Sequence, residues 1–168
     1  MEILDEKIFL LLFKQMNDNR IAYVTRFVAL YASKVFLVTY VLIMLWLVVN
    51  RAFILIPYLI GPALSLLSVI VIRRFFNRKR PFEIMGFKPL IEHETGCSFP
   101  SKHGTSAFAI AIAMMWVHPL LGCIGFLMAV LTGISRVMVG VHYPSDIVGG
   151  LLIAILLSQL TYFLSIIP

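Results

Sequence analysis

The chain has 168 residues, 61% of them hydrophobic and 13% charged, with a formal charge of +6 and a mean hydropathy of +0.98. Soluble domains carry about 25% charged residues, so the composition excludes an ordinary soluble domain. Many of the basic residues gather in one connector, Arg73 to Lys88, and they form no stripe on a soluble face, which argues for a local anion site and against a nucleic-acid partner.

Residues 3 to 16, ILDEKIFLLLFKQM, hold an apolar core too short to span, flanked by Asp5, Glu6, Lys7 and Lys14. They fit an amphipathic helix lying in the bilayer interface, followed by a turn at Asn17, Asp18 and Asn19. No small-residue cleavage site follows, so a cleaved signal peptide is not expected. A first spanning helix is predicted over about residues 21 to 49, with Arg26 and Lys34 placed either to snorkel or to face the bundle interior. A second runs over about residues 52 to 72 through Pro57, Gly61 and Pro62, breaks that are tolerated where neighbouring helices cover the backbone.

Hydropathy then falls over RRFFNRKRPFEIMGFKPLIEHETGCSFP, residues 73 to 100. Connectors of this length are usually functional or disordered. A third helix is predicted over 101 to 117, a tight turn at His118-Pro119, a fourth helix over 120 to 134, a polar segment SRVMVGVHYPSD, and a fifth helix over 145 to 166. The fold class is therefore all-α: a polytopic membrane helical bundle of about five spanning helices plus an N-terminal interfacial helix, in one domain over residues 1–168. Cys97 in a loop and Cys123 in an apolar run make a structural disulfide unexpected.

Counting crossings brings the polar segments together. The second helix ends where the long connector lies, the third starts there, the fourth returns there and the fifth leaves from there. One face thus collects Arg73 and Arg80-Pro81, then Pro100-Ser101-Lys102-His103, then Ser135-Arg136, His142 and Asp146.

Guanidinium forks match phosphate oxygens bidentately. Free backbone N–H groups at a helix start, here Ser101 to Gly104, cradle anions. Asp146, four residues after His142, is placed to bond one imidazole nitrogen across the first turn of the fifth helix. Such a bond makes the other nitrogen a better nucleophile. His103 can serve as general acid to a leaving alkoxide or phosphate. The set reads as phosphoryl transfer through a phosphohistidine. Cysteines and further carboxylates are poorly placed to complete a metal site, so no metal and no other cofactor is expected.

The three segments, RRFFNRKRP, PSKH and SRVMVGVHYPSD, resemble the KxxxxxxRP, PSGH and SRxxxxxHxxxD signature of the type 2 phosphatidic acid phosphatase family, within the lipid phosphatase and vanadium haloperoxidase superfamily. The resemblance implies that His142 is the nucleophile, Asp146 its orienting carboxylate and His103 the proton donor, with Arg73, Arg80, Ser101 and Arg136 as phosphate ligands. Two positions depart from the signature. Arg73 stands for its lysine, and Lys102 stands for the glycine of PSGH, adding a cation that suits a diphosphate.

The resemblance implies a lipid-phosphate substrate, with undecaprenyl diphosphate first, giving the monophosphate for cell-wall carrier cycling. Phosphatidylglycerophosphate or phosphatidate comes next, then lipid A. It puts the site at the extracytoplasmic face, whereas the positive-inside rule would put a basic connector in the cytoplasm. It leaves the oligomeric state open.

Read singly, the pieces have plainer explanations: a basic membrane flank, an N-cap at Ser101, a structural His142-Asp146 pair. A transporter using intramembrane His, Arg and Asp as a relay is the reading from another class, and it predicts ion flux without turnover. Glu92, His93 and Glu94 read as solvated loop. Gly122, Gly125, Gly133, Gly149 and Gly150 read as close helix contacts.

Overall fold

The computed structural model describes residues 2–167. The chain is all helical in its regular structure: α1 (Glu2–Lys14), α2 (Asn19–Val49), α3 (Leu55–Phe75), the short α4 (Pro81–Met85), α5 (Lys102–Val117), α6 (Pro119–Met138) and α7 (Pro144–Ile166). Four of these, α2, α3, α6 and α7, are long and apolar enough to cross a bilayer. The expected helix order holds, with α5 in the place of the third expected crossing. At 16 residues α5 is about 24 Å long, shorter than its neighbours.

Helix α5 is the centre of the bundle. It packs on α3, α6 and α7 and touches α2. Ala109, Ala111 and Ala113 are fully buried, with Phe108, Ile110, Ile112 and Met114 nearly so. Small side chains let neighbours approach closely, which suits association without a strong hydrophobic drive between helices. Gly122 illustrates the demand: a Cβ there would stand 2.4 Å from the Met115 backbone. Arg26 and Lys34 both point outward, the ammonium of Lys34 lying 5.2 Å from the Tyr31 ring centroid.

Pro62 sits inside α3 without breaking it. A proline cannot donate to the carbonyl four residues earlier, here that of Tyr58. The Tyr40 hydroxyl donates to that carbonyl at 3.2 Å, and the Tyr58 hydroxyl donates back to the Tyr40 carbonyl at 3.1 Å. The reciprocal pair ties α2 to α3 in the apolar interior.

Expected helix ends move in two places. Helix α6 continues past residue 134 to Met138, so Ser135 and Arg136 occupy its last turn. Helix α3 runs to Phe75 and carries Arg73 in its last turn. The α6 shift follows from packing: Arg136 is 5% exposed, and a buried backbone is best satisfied by continued helix. Gly140, at φ 90, then turns the chain toward α7.

Candidate active site

The ends of α3 and α6 and the starts of α4, α5 and α7 meet at one end of the bundle, as the crossing count requires. Each start is locally encoded. Ser101 caps α5, its Oγ accepting the Gly104 N–H at 3.2 Å. Pro144 opens α7, and the Asp146 carboxylate accepts the Tyr143 N–H at 2.8 Å, closing the helix start as capping acids do. Arg80 precedes Pro81 at the start of α4, where Glu83 Oε2 accepts the Arg80 N–H at 2.9 Å and Glu83 Oε1 accepts the Gly96 N–H at 3.3 Å. Helices α5 and α7 lie close at this end: a Cβ on Gly150 would meet Thr105 Oγ1 at 2.6 Å.

His142 is 1% exposed and Asp146 is fully buried. Nδ1 of His142 lies 3.3 Å from Asp146 Oδ2. A proton on Nδ1 satisfies that contact and leaves the lone pair on Nε2. Nε2 faces the Arg80 guanidinium, 3.4 Å from Nη1. Burial pushes the His142 pKa down to about 4, outweighing the upward pull of Asp146, so the ring is neutral near pH 7.

The arginines converge from three elements. Arg80, 3% exposed, donates from Nη1 to the Val141 carbonyl at 3.0 Å and from Nη2 to the Cys97 carbonyl at 3.3 Å. Burial, and then the like charge of Arg73, lower its pKa. Arg136 donates from Nη2 to the Ala29 carbonyl at 2.7 Å. The Nε of both Arg80 and Arg136 is buried without a hydrogen-bond partner. Arg73 braces the entry to α5, donating from Nε and Nη2 to the Pro100 carbonyl at 3.0 and 2.8 Å.

His103 lies close enough to Arg136 and Arg73 for their charges to act on its ring. It also lines a cavity of about 390 Å³ with Phe36, Leu37, Tyr40, Pro62 and Leu66, between α2, α3 and α5. Lys102 begins α5 and is exposed. The eight residues singled out from the sequence, Arg73, Arg80, Ser101, Lys102, His103, Arg136, His142 and Asp146, thus lie at one end of the bundle, Lys102 on its outside.

Three neighbours escape the sequence reading. Ser98 donates its hydroxyl to Asp146 Oδ2 and lies 3.5 Å from His142 Nδ1. Arg78 donates from Nη1 to Asp146 Oδ1 at 3.0 Å. Its spacing of two from Arg80 in an extended segment is a usable signal, since such residues share a side. His93, read above as solvated loop, is half-buried, its ring centroid 6.3 Å from that of His142 at 82°. Burial lowers its pKa, and the charges of Arg80, Arg136 and Arg73 press the same way. The loop folds inward because Ile91 is buried against Ala29, Val139 and Val141.

An imidazole oriented by a carboxylate, facing guanidinium groups at one end of an apolar helical bundle, defines a membrane-embedded phosphatase. The family model described as PAP2 superfamily matches residues 54–165, and the chain belongs to that superfamily. It is 37% identical over 131 residues to the undecaprenyl-diphosphatase BcrC of Bacillus subtilis, covering 75% of this chain and 67% of that one. It is 34% identical over 96 residues to a lipid A 1-phosphatase of Rhizobium johnstonii, covering 54% of this chain and 39% of that one. Among solved structures it is similar to LpxE of Aquifex aeolicus, with a TM-score of 0.79, 26% identity and 95% of each chain covered. The protein is a PAP2 membrane lipid phosphatase, a hydrolase of phosphoric esters.

Proposed function

We propose that the chain hydrolyses undecaprenyl diphosphate to undecaprenyl phosphate through a phosphohistidine. The carrying observation is electrostatic. Arg80 and Arg136 are buried, each with an unpartnered Nε, and among the described residues neither forms an ion pair with a carboxylate. A buried unpaired charge costs several kcal/mol, and a phosphoryl group at His142 Nε2 offsets that cost while leaving the nucleophile in line.

In the first step Nε2 of His142 bonds to the terminal phosphorus, the bond from phosphorus to the bridging oxygen breaks, and His103 gives its proton to the departing lipid phosphate. In the second, water attacks the phosphohistidine and passes a proton to His103, the P–N bond breaks and orthophosphate leaves. Arg73, Arg80, Arg136 and Ser101 hold the non-bridging oxygens through the transition state, where positioned charge does most of the work. The apolar cavity beside His103 takes the start of the lipid tail. The similarity to BcrC supports the diphosphate, as does the extra cation at Lys102. The site opens on the extracytoplasmic face, a reading that the family resemblance supports.

The similarity to a lipid A 1-phosphatase favours a second reading, in which lipid A is the substrate. The purified protein should release orthophosphate faster from undecaprenyl diphosphate than from lipid A, phosphatidate or phosphatidylglycerophosphate. His142→Ala should release none, and vanadate, a mimic of five-coordinate phosphorus, should inhibit. Faster release from lipid A would transfer the assignment to the second reading. Ion flux without phosphate release would sink both.

A further inference from the structure

Helix α1 presents exposed Ile3, Leu4 and Leu11 on its outer side, as a helix seated in the bilayer interface should. Phe9 and Phe13 hold its inner side, stacking on each other at 5.5 Å between centroids, with Phe9 edge-on to Tyr143 at 5.7 Å and Phe13 against Phe87 at 4.5 Å. One residue does not suit an interfacial helix. Asp5 is 7% exposed, although a carboxylate is costly to bury unless bonded.

Its bonds lead to the active site. Asp5 Oδ1 accepts the Ser145 backbone N–H at 2.9 Å, and Oδ2 accepts the Ser145 hydroxyl and Arg78 Nη2, the latter at 2.6 Å. Arg78 Nη1 donates to Asp146 Oδ1 at 3.0 Å. One guanidinium therefore bridges two carboxylates, one on the N-terminal helix and one that touches His142.

We propose that Asp5 is a positioning residue for catalysis, acting through Arg78 on the Asp146–His142 pair. The role rests on the phosphatase function proposed above. An arginine facing one carboxylate prefers to take both its oxygens in a parallel fork. Asp146 Oδ2 is already needed by His142 Nδ1, the Ser98 hydroxyl and the Tyr143 N–H. By holding Nη2, Asp5 keeps Arg78 to the single oxygen Oδ1. Without it Arg78 is free to swing onto Oδ2 and compete with the imidazole, and His142 loses the contact that keeps its lone pair on Nε2. The seating of α1 is thereby part of the chemistry of a site formed by residues 73 to 146.

The test measures kcat and KM on undecaprenyl diphosphate and the ¹⁵N imidazole signals of His142, in the wild-type protein, Asp5→Asn, Asp5→Glu and Arg78→Lys. Asp5→Asn should lower kcat roughly tenfold with KM within about twofold, and should move the His142 signals toward a mixture of tautomers. Asp5→Glu should recover most of both. Arg78→Lys, whose point charge cannot bridge two carboxylates, should resemble Asp5→Asn and serves if that variant does not fold. An unchanged His142 spectrum in Asp5→Asn, or in Arg78→Lys where Asp5→Asn does not fold, overturns the proposal, whatever happens to kcat. A loss confined to KM, or no recovery in Asp5→Glu, overturns it as well. Absence of turnover by the wild-type protein, with the spectral shift present, overturns the phosphatase function and leaves the positioning role standing.

Discussion

Nη1 of Arg80 lies 3.4 Å from Nε2 of His142, while Asp146 Oδ2 lies 3.3 Å from the other ring nitrogen. The imidazole is thus gripped on one nitrogen and faces a cation on the other. A proton on Nε2 would point at the guanidinium, so this arrangement favours the neutral ring and aims its lone pair where a phosphate held by Arg80 would sit.

The pH dependence follows from the buried ring. Burial lowers the His142 pKa to about 4, so the ring is unprotonated above that value, and with His142 as the proposed nucleophile kcat/KM should fall on the acid side as pH drops through about 4. Stability moves in the same direction. The unfolded chain binds the proton from about pH 6.5 while the folded ring refuses it, so folding stability should decline as pH falls from about 6.5 toward 4. Thermal melting followed across that range should show the decline, and His142→Asn should lessen it, His93 keeping a share of the same sign.

Arg136 should trade stability for function. It is 5% exposed, with one bond to the Ala29 carbonyl and an unpartnered Nε. Arg136→Met removes a desolvated charge costing several kcal/mol and one hydrogen bond contributing about 1 kcal/mol. Its melting temperature should equal or exceed that of the wild-type protein, while kcat/KM falls by roughly 10²–10³. A lower melting temperature with activity retained would assign Arg136 to the scaffold.

His93 should matter where its neighbour does not. Its ring stands 6.3 Å from His142 and within the field of three arginines, whereas Glu92 is exposed. His93→Ala should lower kcat/KM roughly tenfold, less than the roughly 10²–10⁴-fold of an imidazole that itself transfers the proton, and Glu92→Gln should leave it within about twofold. Steady-state assays of the two variants side by side decide the matter.

Lys102 should discriminate between substrates. A cation in the first turn of a helix opposes the helix dipole, by about 0.3–1 kcal/mol, so its position at the start of α5 is unfavourable unless an anion comes near. Lys102→Gly should reduce hydrolysis of the lipid diphosphate more than that of a lipid monophosphate. Equal losses on both would remove Lys102 from substrate selection.

The helical bundle and its order were legible because hydropathy is a running property of the chain, and the eight candidate residues because their spacing within each motif is local. Convergence of the motifs at one end followed from counting crossings. Asp5, Ser98 and His93 were not legible. Asp5 looks like an interfacial flank, and only the tertiary fold brings it to Ser145 and Arg78. Ser98 is an ordinary loop serine until the carboxylate of Asp146 arrives. His93 lies between two acidic residues, the pattern of a solvated loop, and buried Ile91 turns that loop inward. The extension of α6 through Arg136 was missed because a basic residue reads as a helix end in a membrane, and the burial that offsets it is a tertiary property.

The starts of α5 and α7 and the two buried guanidinium groups have a cost at the end of the cycle. Whatever draws a lipid-borne phosphate inward also retains the free orthophosphate left after hydrolysis, which has no hydrocarbon tail to pull it away. Orthophosphate added to the assay should therefore slow turnover, and product-inhibition measurements check it.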